Sequence, residues 1–371
     1  MINNLILFDG MSGSGKGSRI ITLDNFLNND LGKKIITFNE PKYLREEIKE
    51  YKKNPARDAM KETELFIRSR KLGLQDYEIF LNNDDFAVIG DRSFISNYVY
   101  QSLQGISLEK LKDMNSFYPD PATAFILLCD PEVALNRIHE RQLRDGIEIS
   151  LDETMEKITR LRDKYIEVAK DLPYAHVINT NGRAEAIDLV LRSHIKGLYG
   201  IDMSKAVFLD KDGTLVEDSG YPNIIPTDKI FSDSYNELRK IQDKGYNLFI
   251  VSSQPWVARG RMSSLEVKAV FDSVVNKYRA HGVNIVDYGY CEHSREDNCP
   301  DKKPSTRLFE GIIKKYNIDT RNSYMVGDMD NDILAGQNIG LTTIRINNEH
   351  PNKISPDYNI KDIKDLSSYI K

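Results

Sequence analysis

The chain has 371 residues and a formal net charge of −5, with 40% hydrophobic and 29% charged residues. At roughly 100–200 residues per domain that length holds two or three domains, and the composition excludes the disordered and collagen-like classes. The acidic balance, with neither half a basic block, counts against tight non-specific binding to nucleic acid.

The first half alternates short apolar runs with longer helical patterns. Asn4–Asp9 reads as a strand, followed by a glycine-rich turn and a helix from about Lys16. Lys34–Asn39 reads as a strand, Asp58–Leu81 as a long helix, and Asp85–Gly90 and Ala124–Asp130 as strands. Helices Pro131–Arg141 and Asp152–Leu172, strand Ala175–Thr180 and a closing helix Arg183–Lys196 complete this half. The pattern pauses at Gly197–Ser204 and restarts with strand Ala206–Asp210. Then follow helix Ser234–Lys244, strand Tyr246–Ser252, helix Leu265–His281, strand Asn284–Tyr290, helix Ser305–Tyr316, strand Ser323–Gly327, helix Asp332–Ile339 and strand Thr342–Ile346. Strand–helix alternation of this kind predicts an α/β chain with two domains, 1–198 and 205–371, each a parallel sheet covered on both faces.

Residues 10–18 read GMSGSGKGS, and Gly10, Gly15 and Lys16 fit GxxxxGK. A glycine-rich turn, with Gly13 at its centre, lets backbone N–H groups approach phosphate oxygens, and the following helix N-terminus favours the anion. Lys16 would reach the β- and γ-phosphates of ATP. Gly17 stands where a hydroxyl usually follows the lysine, which matches the GKG[ST] form of adenylate-kinase-like nucleotide kinases and makes Ser18 the hydroxyl on the Mg²⁺ side. Glu40-Pro41 closes the second strand, Asp91-Arg92-Ser93 closes the third, and Arg137–Arg144 carries three arginines where a lid would lie. With FDG before the loop, NEP at 39–41, GDRSFISNYVYQ at 90–101, LLCDPEVALNRIHER at 127–141 and DGIEISLDETMEKITRLRDKY after it, residues 1–198 resemble the thymidylate kinase and deoxynucleoside kinase superfamily. The resemblance implies a P-loop kinase sheet, with Glu40 beside the acceptor group and Asp91 near the metal. It implies that Arg92 stabilises the transferring phosphoryl and that Arg141, with Arg137 or Arg144, supplies lid charge. Nucleoside and nucleotide acceptors stay open, and Tyr98 and Tyr100 read as packing residues.

Residues 210–214 read DKDGT after the strand AVFL. Two carboxylates two apart at a strand end can share Mg²⁺ and divide labour: Asp210 attacks phosphorus, and Asp212 protonates the leaving oxygen and then activates water. This resembles the haloacid dehalogenase (HAD) phosphatase superfamily, with its Rossmann-like sheet. By that resemblance Ser252 binds phosphate, Lys303 neutralises the aspartyl-phosphate, and Asp328, which with Asp332 completes GDxxxD, holds the metal. FLDKDGTLVEDSGY, VSSQPWVARG and KKP look like the heptose-bisphosphate and histidinol-phosphate phosphatase group over residues 205–347, which implies an open site without a large cap. Arg259 and Lys302 are then candidate contacts to the substrate phosphate. The group often has Cys-x-His and Cys-x-Cys binding structural zinc before this lysine; here they read Cys291-x-His293 and Cys299-x-Asp301, which allows a Cys₂HisAsp zinc site or an inherited loop that has lost its metal.

The expected protein is a bifunctional enzyme: an ATP-dependent kinase for a nucleoside or nucleotide, and a Mg²⁺-dependent phosphatase for a phosphomonoester. The two should act on different positions or molecules, since one shared phosphate would make a futile cycle. A 5′-kinase/3′-phosphatase for nucleic-acid ends is the enzymatic alternative, and a non-catalytic nucleotide sensor the other. Small molecules are the expected partners, nucleic acid the less favoured one, and a homodimer is admitted. No apolar run approaches the roughly 20 residues that span a bilayer, so no membrane partner is expected. Three scattered cysteines, Cys129, Cys291 and Cys299, argue against a disulfide framework and for a cytoplasmic location.

Overall fold

The computed structural model describes residues 2–54, 56–145, 154–218, 229–294, 296–346 and 353–371. Its contacts divide the chain into two compact units, Met1–Asn181 and Gly182–Lys371.

The first unit holds five parallel strands in the order β2-β3-β1-β4-β5: β1 (Ile2–Gly10), β2 (Lys34–Asn39), β3 (Phe86–Asp91), β4 (Pro121–Leu128) and β5 (Ala175–Asn179). Leu5, Ile6, Leu7 and Phe8 are all fully buried, so the run is apolar without alternation because both faces of the central strand are covered. Among the described residues seven helices accompany the sheet: α1 (Lys16–Asn29), α2 (Arg45–Lys53), α3 (Ala59–Leu74), α4 (Phe94–Ser102), α5 (Leu108–Met114), α6 (Pro131–Asp145) and α7 (Met155–Lys170). The register sets Phe8 and Asn39 both opposite Asp91. Gly10, Glu40 and Arg92, just beyond these positions, therefore share one carboxyl-end edge, beside the switch point where β1 lies between β3 and β4.

The expected long helix Asp58–Leu81 is shorter. Asp58 caps it, accepting from the Lys61 N–H at 2.8 Å, but it ends at Leu74. The chain then turns so that Tyr77 is buried with its ring stacked on Phe38 at 4.2 Å. The expected start of the post-lid helix, with residues 146–153, lies outside the described residues; α7 begins at Met155 behind the Thr154 cap.

The second unit is a six-stranded parallel sheet in the order β11-β10-β9-β6-β7-β8. Its strands are β6 (Lys205–Leu209), β7 (Tyr246–Ser253), β8 (Ile285–Cys291), β9 (Tyr324–Gly327), β10 (Thr342–Ile346) and β11 (Tyr358–Ile360). Its helices are α8 (Ala184–Leu198), α9 (Asp233–Asp243), α10 (Ser264–Ala280), α11 (Arg307–Tyr316) and α12 (Asp330–Asn338). Leu209 pairs with Ile250 on one side and Val326 on the other, so the ends of β6, β7 and β9 present Asp210, Ser252 and Asp328 together. The units part at Asn181 and Gly182, ahead of the boundary expected near residue 200. The reason is α8: Ala186 is buried with Phe309, Ile339 and Leu341, and the flanking Arg183 donates to Glu310 at 3.1 Å. Among the described residues no helix is long and apolar enough to cross a membrane.

Candidate active sites

In the first unit, residues 10–15 turn from β1 straight into α1, which starts at Lys16. Gly13 has φ 76°, and a Cβ there would meet the Ala134 carbonyl oxygen at 2.5 Å, so only glycine fits this turn. The loop lines a cavity of about 730 Å³ together with Arg92, Arg137, Glu140, Arg141 and Arg144; Gly15, Lys16, Gly17 and Ser18 all face it. Lys16 Nζ lies 2.9 Å from Asp91 Oδ1, and Asn39 donates to the other oxygen of Asp91 at 3.1 Å. Arg137 differs from its expected lid role. Its guanidinium donates to the Gly13 carbonyl at 3.4 Å and to the Thr180 carbonyl at 2.8 Å, which fastens α6 to the loop and to the end of β5. Arg141 and Arg144 are exposed at the end of α6 and line the cavity.

A second cavity of about 430 Å³ lies behind Arg92, which lines both. Its wall carries Glu40, Arg70, Asn97, Tyr100 and Gln101. Glu40 is engaged by Arg70, whose Nε and Nη2 reach its carboxylate at 2.8 and 2.6 Å. Arg70 also donates to Asn97 at 2.7 Å and to Asn115. Burial pushes the Glu40 carboxyl above its ordinary pKa, with Arg70 opposing. Tyr98 is buried in the core, whereas Tyr100 forms part of the cavity wall.

Behind the loop, fully buried Asp9 gathers six donors. They are the Gly10 N–H (2.9 Å), the N–H and hydroxyl of Ser93 (3.1 and 3.2 Å), the N–H and hydroxyl of Ser96 (3.1 and 2.8 Å) and the Tyr165 hydroxyl (2.7 Å). A buried carboxylate so satisfied ties the end of β1 to the start of α4 and to α7. Sequence reasoning missed Asp9 and Arg70. Asp9 stands in FDG directly before the loop. Arg70 had a fainter signal: with Glu62, Ser69 and Gly73 it puts buried polar or small residues at helical spacing on one face of α3.

In the second unit, Asp210, Asp328 and Asp332 bring carboxylate oxygens within 4.8 Å of one another, all three buried. Lys303 stands among them, with Nζ 2.6 Å from Asp210, 2.5 Å from Asp332 and 2.8 Å from the Val251 carbonyl. Burial works against the Lys303 charge, but Asp210 and Asp332 outweigh it and hold its pKa above the ordinary value. Burial, then the charges of Asp210 and Asp332, push Asp328 up to about 7. Asp328 Oδ1 is buried and has no hydrogen-bond partner among the described residues. An orphaned buried carboxylate oxygen beside two more acids fits a divalent cation held by hard oxygen ligands.

Asp212, expected on the metal, is not in this cluster. Its carboxylate is held by Lys211 and by Gln254, which donates to it at 2.6 Å and to the Ser252 hydroxyl at 3.1 Å. Ser252, Lys303 and Asp212 line one cavity of about 260 Å³ with the three clustered acids. Arg259 and Lys302, expected on the substrate phosphate, are not among its lining residues: Arg259 lies over the Trp256 ring, and Lys302 donates to the His293 carbonyl at 3.2 Å. Residues 219–221 of the expected FLDKDGTLVEDSGY stretch lie outside the described residues. Cys291, His293 and Cys299 bring their donor atoms within 4.8 Å of one another. Asp301, the expected fourth ligand, instead pairs with Arg307 at 3.4 Å.

Gly213 limits where Asp328 can stand. It has φ 76°, and a Cβ there would lie 2.4 Å from Asp328 Oδ2. Gly213→Ala should therefore push the carboxylate away and add backbone strain on the order of 1–3 kcal/mol. Phosphatase activity is expected to fall at least about tenfold while kinase activity holds; equal phosphatase rates would show that this contact does not position Asp328.

Both constellations are built for moving phosphoryl groups, and together they make the chain an enzyme with a kinase part and a hydrolase part. Residues 8–188 match the thymidylate kinase family, and residues 301–366 match the HAD-hydrolase-like family. The D-glycero-beta-D-manno-heptose-1,7-bisphosphate 7-phosphatase of Haemophilus ducreyi is 37% identical over 149 residues, covering 38% of this chain and 80% of that protein. The D-glycero-alpha-D-manno-heptose-1,7-bisphosphate 7-phosphatase of Photorhabdus laumondii is 33% identical over 144 residues, 37% of this chain and 79% of that protein. A solved thymidylate kinase from Ehrlichia chaffeensis aligns at 23% identity over 52% of this chain and 97% of its own, with a TM-score of 0.41. The chain thus belongs to the HAD phosphatases through its C-terminal half and carries a thymidylate kinase domain in its N-terminal half.

Proposed function

We propose that the protein is a bifunctional enzyme: its first unit transfers phosphate from ATP to a nucleoside or nucleotide, and its second hydrolyses a small phosphomonoester with Mg²⁺. The observation that carries this reading is that each compact unit contains its own complete set of phosphoryl-handling groups at the carboxyl ends of its strands. In the kinase, the loop of Gly10, Gly13, Gly15, Lys16, Gly17 and Ser18 takes the donor phosphates, and the acceptor sits in the cavity of Glu40 and Arg70. Arg92, lining both cavities, faces the phosphoryl group in transit. Ser18, which lines the donor cavity, and Asp91, 2.9 Å from Lys16, would hold the Mg²⁺ that accompanies ATP. Glu40 acts on the acceptor mainly by orienting Arg70, since the guanidinium occupies its carboxylate.

In the phosphatase, a carboxylate oxygen of Asp210 attacks phosphorus as the bond to the leaving oxygen breaks. Asp212 gives that oxygen a proton. Water then attacks the phosphorus of the aspartyl-phosphate and gives a proton back to Asp212, which frees Asp210. Ser252 and Lys303 hold the phosphate oxygens. Magnesium on Asp210 and Asp328 would supply the positive charge that lets a phosphate dianion approach three acids.

The test is to incubate the full chain with ATP and a panel of nucleosides and nucleoside monophosphates, and separately with sugar mono- and bisphosphates plus Mg²⁺. Sugar phosphates lead the second panel because the relatives are named for a heptose bisphosphate. Transfer in the first arm and phosphate release in the second are expected. Silence in both would favour a nucleotide sensor.

Cys291, His293 and Cys299 supply three zinc ligands in this reading, with Asp301 outside the set. Burial pushes the Cys291 thiol up to about 11, so zinc must displace its proton, and occupancy should fall as pH falls. Protein purified without chelator should carry about one zinc per chain, and a chelator should lower phosphatase activity with no recovery on Mg²⁺ alone and recovery on adding zinc, while the kinase, given Mg²⁺, is indifferent. Less than about 0.1 zinc per chain with full phosphatase activity would mean that the loop works without metal.

A further inference from the structure

Arg345, on β10, is among the largest fully buried side chains of the protein, with 1% of its surface exposed. Burying a guanidinium is costly unless it is paired and hydrogen-bonded, so its partners show what it organises. Nη1 donates to the Asp328 carbonyl at 3.2 Å. Nη2 donates to Asp330 Oδ1 at 2.7 Å and to the Ile354 carbonyl at 2.7 Å. Asp330 in turn accepts from the Lys353 N–H at 3.0 Å and the Ile354 N–H at 3.3 Å. The guanidinium thus grips the segment that carries Asp328 at two points, the carbonyl of Asp328 itself and the side chain two residues on. It anchors both to β10 and to residues 353–354.

The front of Asp328 is fixed independently. Gly213 stands against its Oδ2, while Oδ1 is left buried without a partner. The side chain therefore makes no described hydrogen bond that would hold Oδ1 toward the acid cluster, and its backbone must do that work. The strand end alone is a weak support, since β9 stops at Gly327 and α12 starts at Asp330.

We infer that Arg345 is a positioning residue for the divalent cation, acting through the backbone of Asp328 and through Asp330, a role that rests on the phosphatase reading above. Neither residue lines the cavity: Arg345 and Asp330 are absent from the residues around it. Partners that orient a metal ligand from behind typically change metal affinity by 10–100-fold when removed. The signature is a loss of cation affinity with turnover largely retained once the cation is saturating.

The test measures Mn²⁺ binding to the full-length protein by electron paramagnetic resonance, alongside Mg²⁺ titrations of phosphatase activity. The variants are Arg345→Met, Arg345→Lys, Asp330→Asn and, as the ligand control, Asp328→Asn. Arg345→Met should weaken Mn²⁺ binding about tenfold or more, with saturated turnover within about threefold of the parent. Arg345→Lys should recover part of the affinity, and Asp330→Asn, which keeps the side-chain shape, should weaken binding about threefold even if Arg345→Met does not fold. Unchanged Mn²⁺ affinity in both Arg345→Lys and Asp330→Asn would overturn the positioning role. Failure of the parent protein to bind Mn²⁺, or unchanged binding in Asp328→Asn, would instead overturn the phosphatase reading on which it rests.

Discussion

Replacing Lys16 by alanine is expected to lower ATP-dependent phosphoryl transfer by about 10³-fold and to leave phosphatase turnover unchanged. The magnitude follows from removing one preorganised cation from charge that develops in transfer. The location follows from the fold: Lys16 opens α1 directly after a turn in which a Cβ at Gly13 would clash with the Ala134 carbonyl, and the helix end and the ammonium address the same anion. In the structure Lys16 is 2.9 Å from Asp91, so ATP phosphates must compete for its charge. Lys16→Ala should therefore raise the KM for ATP as well as lower kcat. Asp91→Asn should move the KM for ATP much less than Lys16→Ala does, because it frees the lysine while weakening the metal side. The pair is only partly buried and should add little to stability, so the variant should melt within a few degrees of the parent. Kinase activity within tenfold of the parent would remove the loop from the donor site.

The parts of this chain that were legible before the structure are those where chemistry demands a residue type at a fixed spacing. The glycine loop, DKDGT and GDxxxD each sit at the end of a strand whose apolar run marks it, and the lysine of KKP lies in the loop between β8 and α11. Short runs such as Ala206–Leu209 are apolar because both sheet faces are buried, and that burial shows in the sequence. Helices α2 and α4 were not legible, for opposite reasons. In α2 only Ile48 is buried, so no apolar stripe forms; in α4 six of nine residues are buried, so the pattern has no polar face to contrast. The position of α8 was legible as a helix but not as a member of the second unit, because an amphipathic pattern says that a face is buried and not against what. Second partners behaved the same way. That Glu40 would be held by Arg70, Asp212 by Lys211 and Gln254, or Asp301 by Arg307 depends on side chains brought together from distant or neutral-looking positions. A carboxylate read as a ligand from spacing alone can turn to an arginine six residues on, as Asp301 does.

Asp210→Asn should cut phosphatase turnover by on the order of 10⁴-fold or more, the scale seen when a covalent nucleophile is removed, with kinase activity intact. The substitution is nearly isosteric, yet it changes two things that can be separated. The amide cannot form the acyl-phosphate, and one negative charge leaves the group that holds Lys303. Lys303 keeps Asp332 at 2.5 Å and the Val251 carbonyl at 2.8 Å, so its charge stays paired and the protein should fold. The remaining acids repel less, because Asp210 is one of the charges that raise Asp328. Asp328 should accordingly ionise at lower pH in the variant than in the parent. Lys303→Met makes the contrasting case. It strands Asp210 and Asp332 without their cation, and breaking a buried pair of this kind costs about 3–5 kcal/mol, so that variant should lose stability as well as turnover. With both proteins in hand, rapid-quench trapping with a labelled substrate should capture phosphate on Asp210 in the parent and none in Asp210→Asn. Label recovered on another residue, or Asp210→Asn retaining more than about a hundredth of parental turnover, would assign the nucleophile elsewhere.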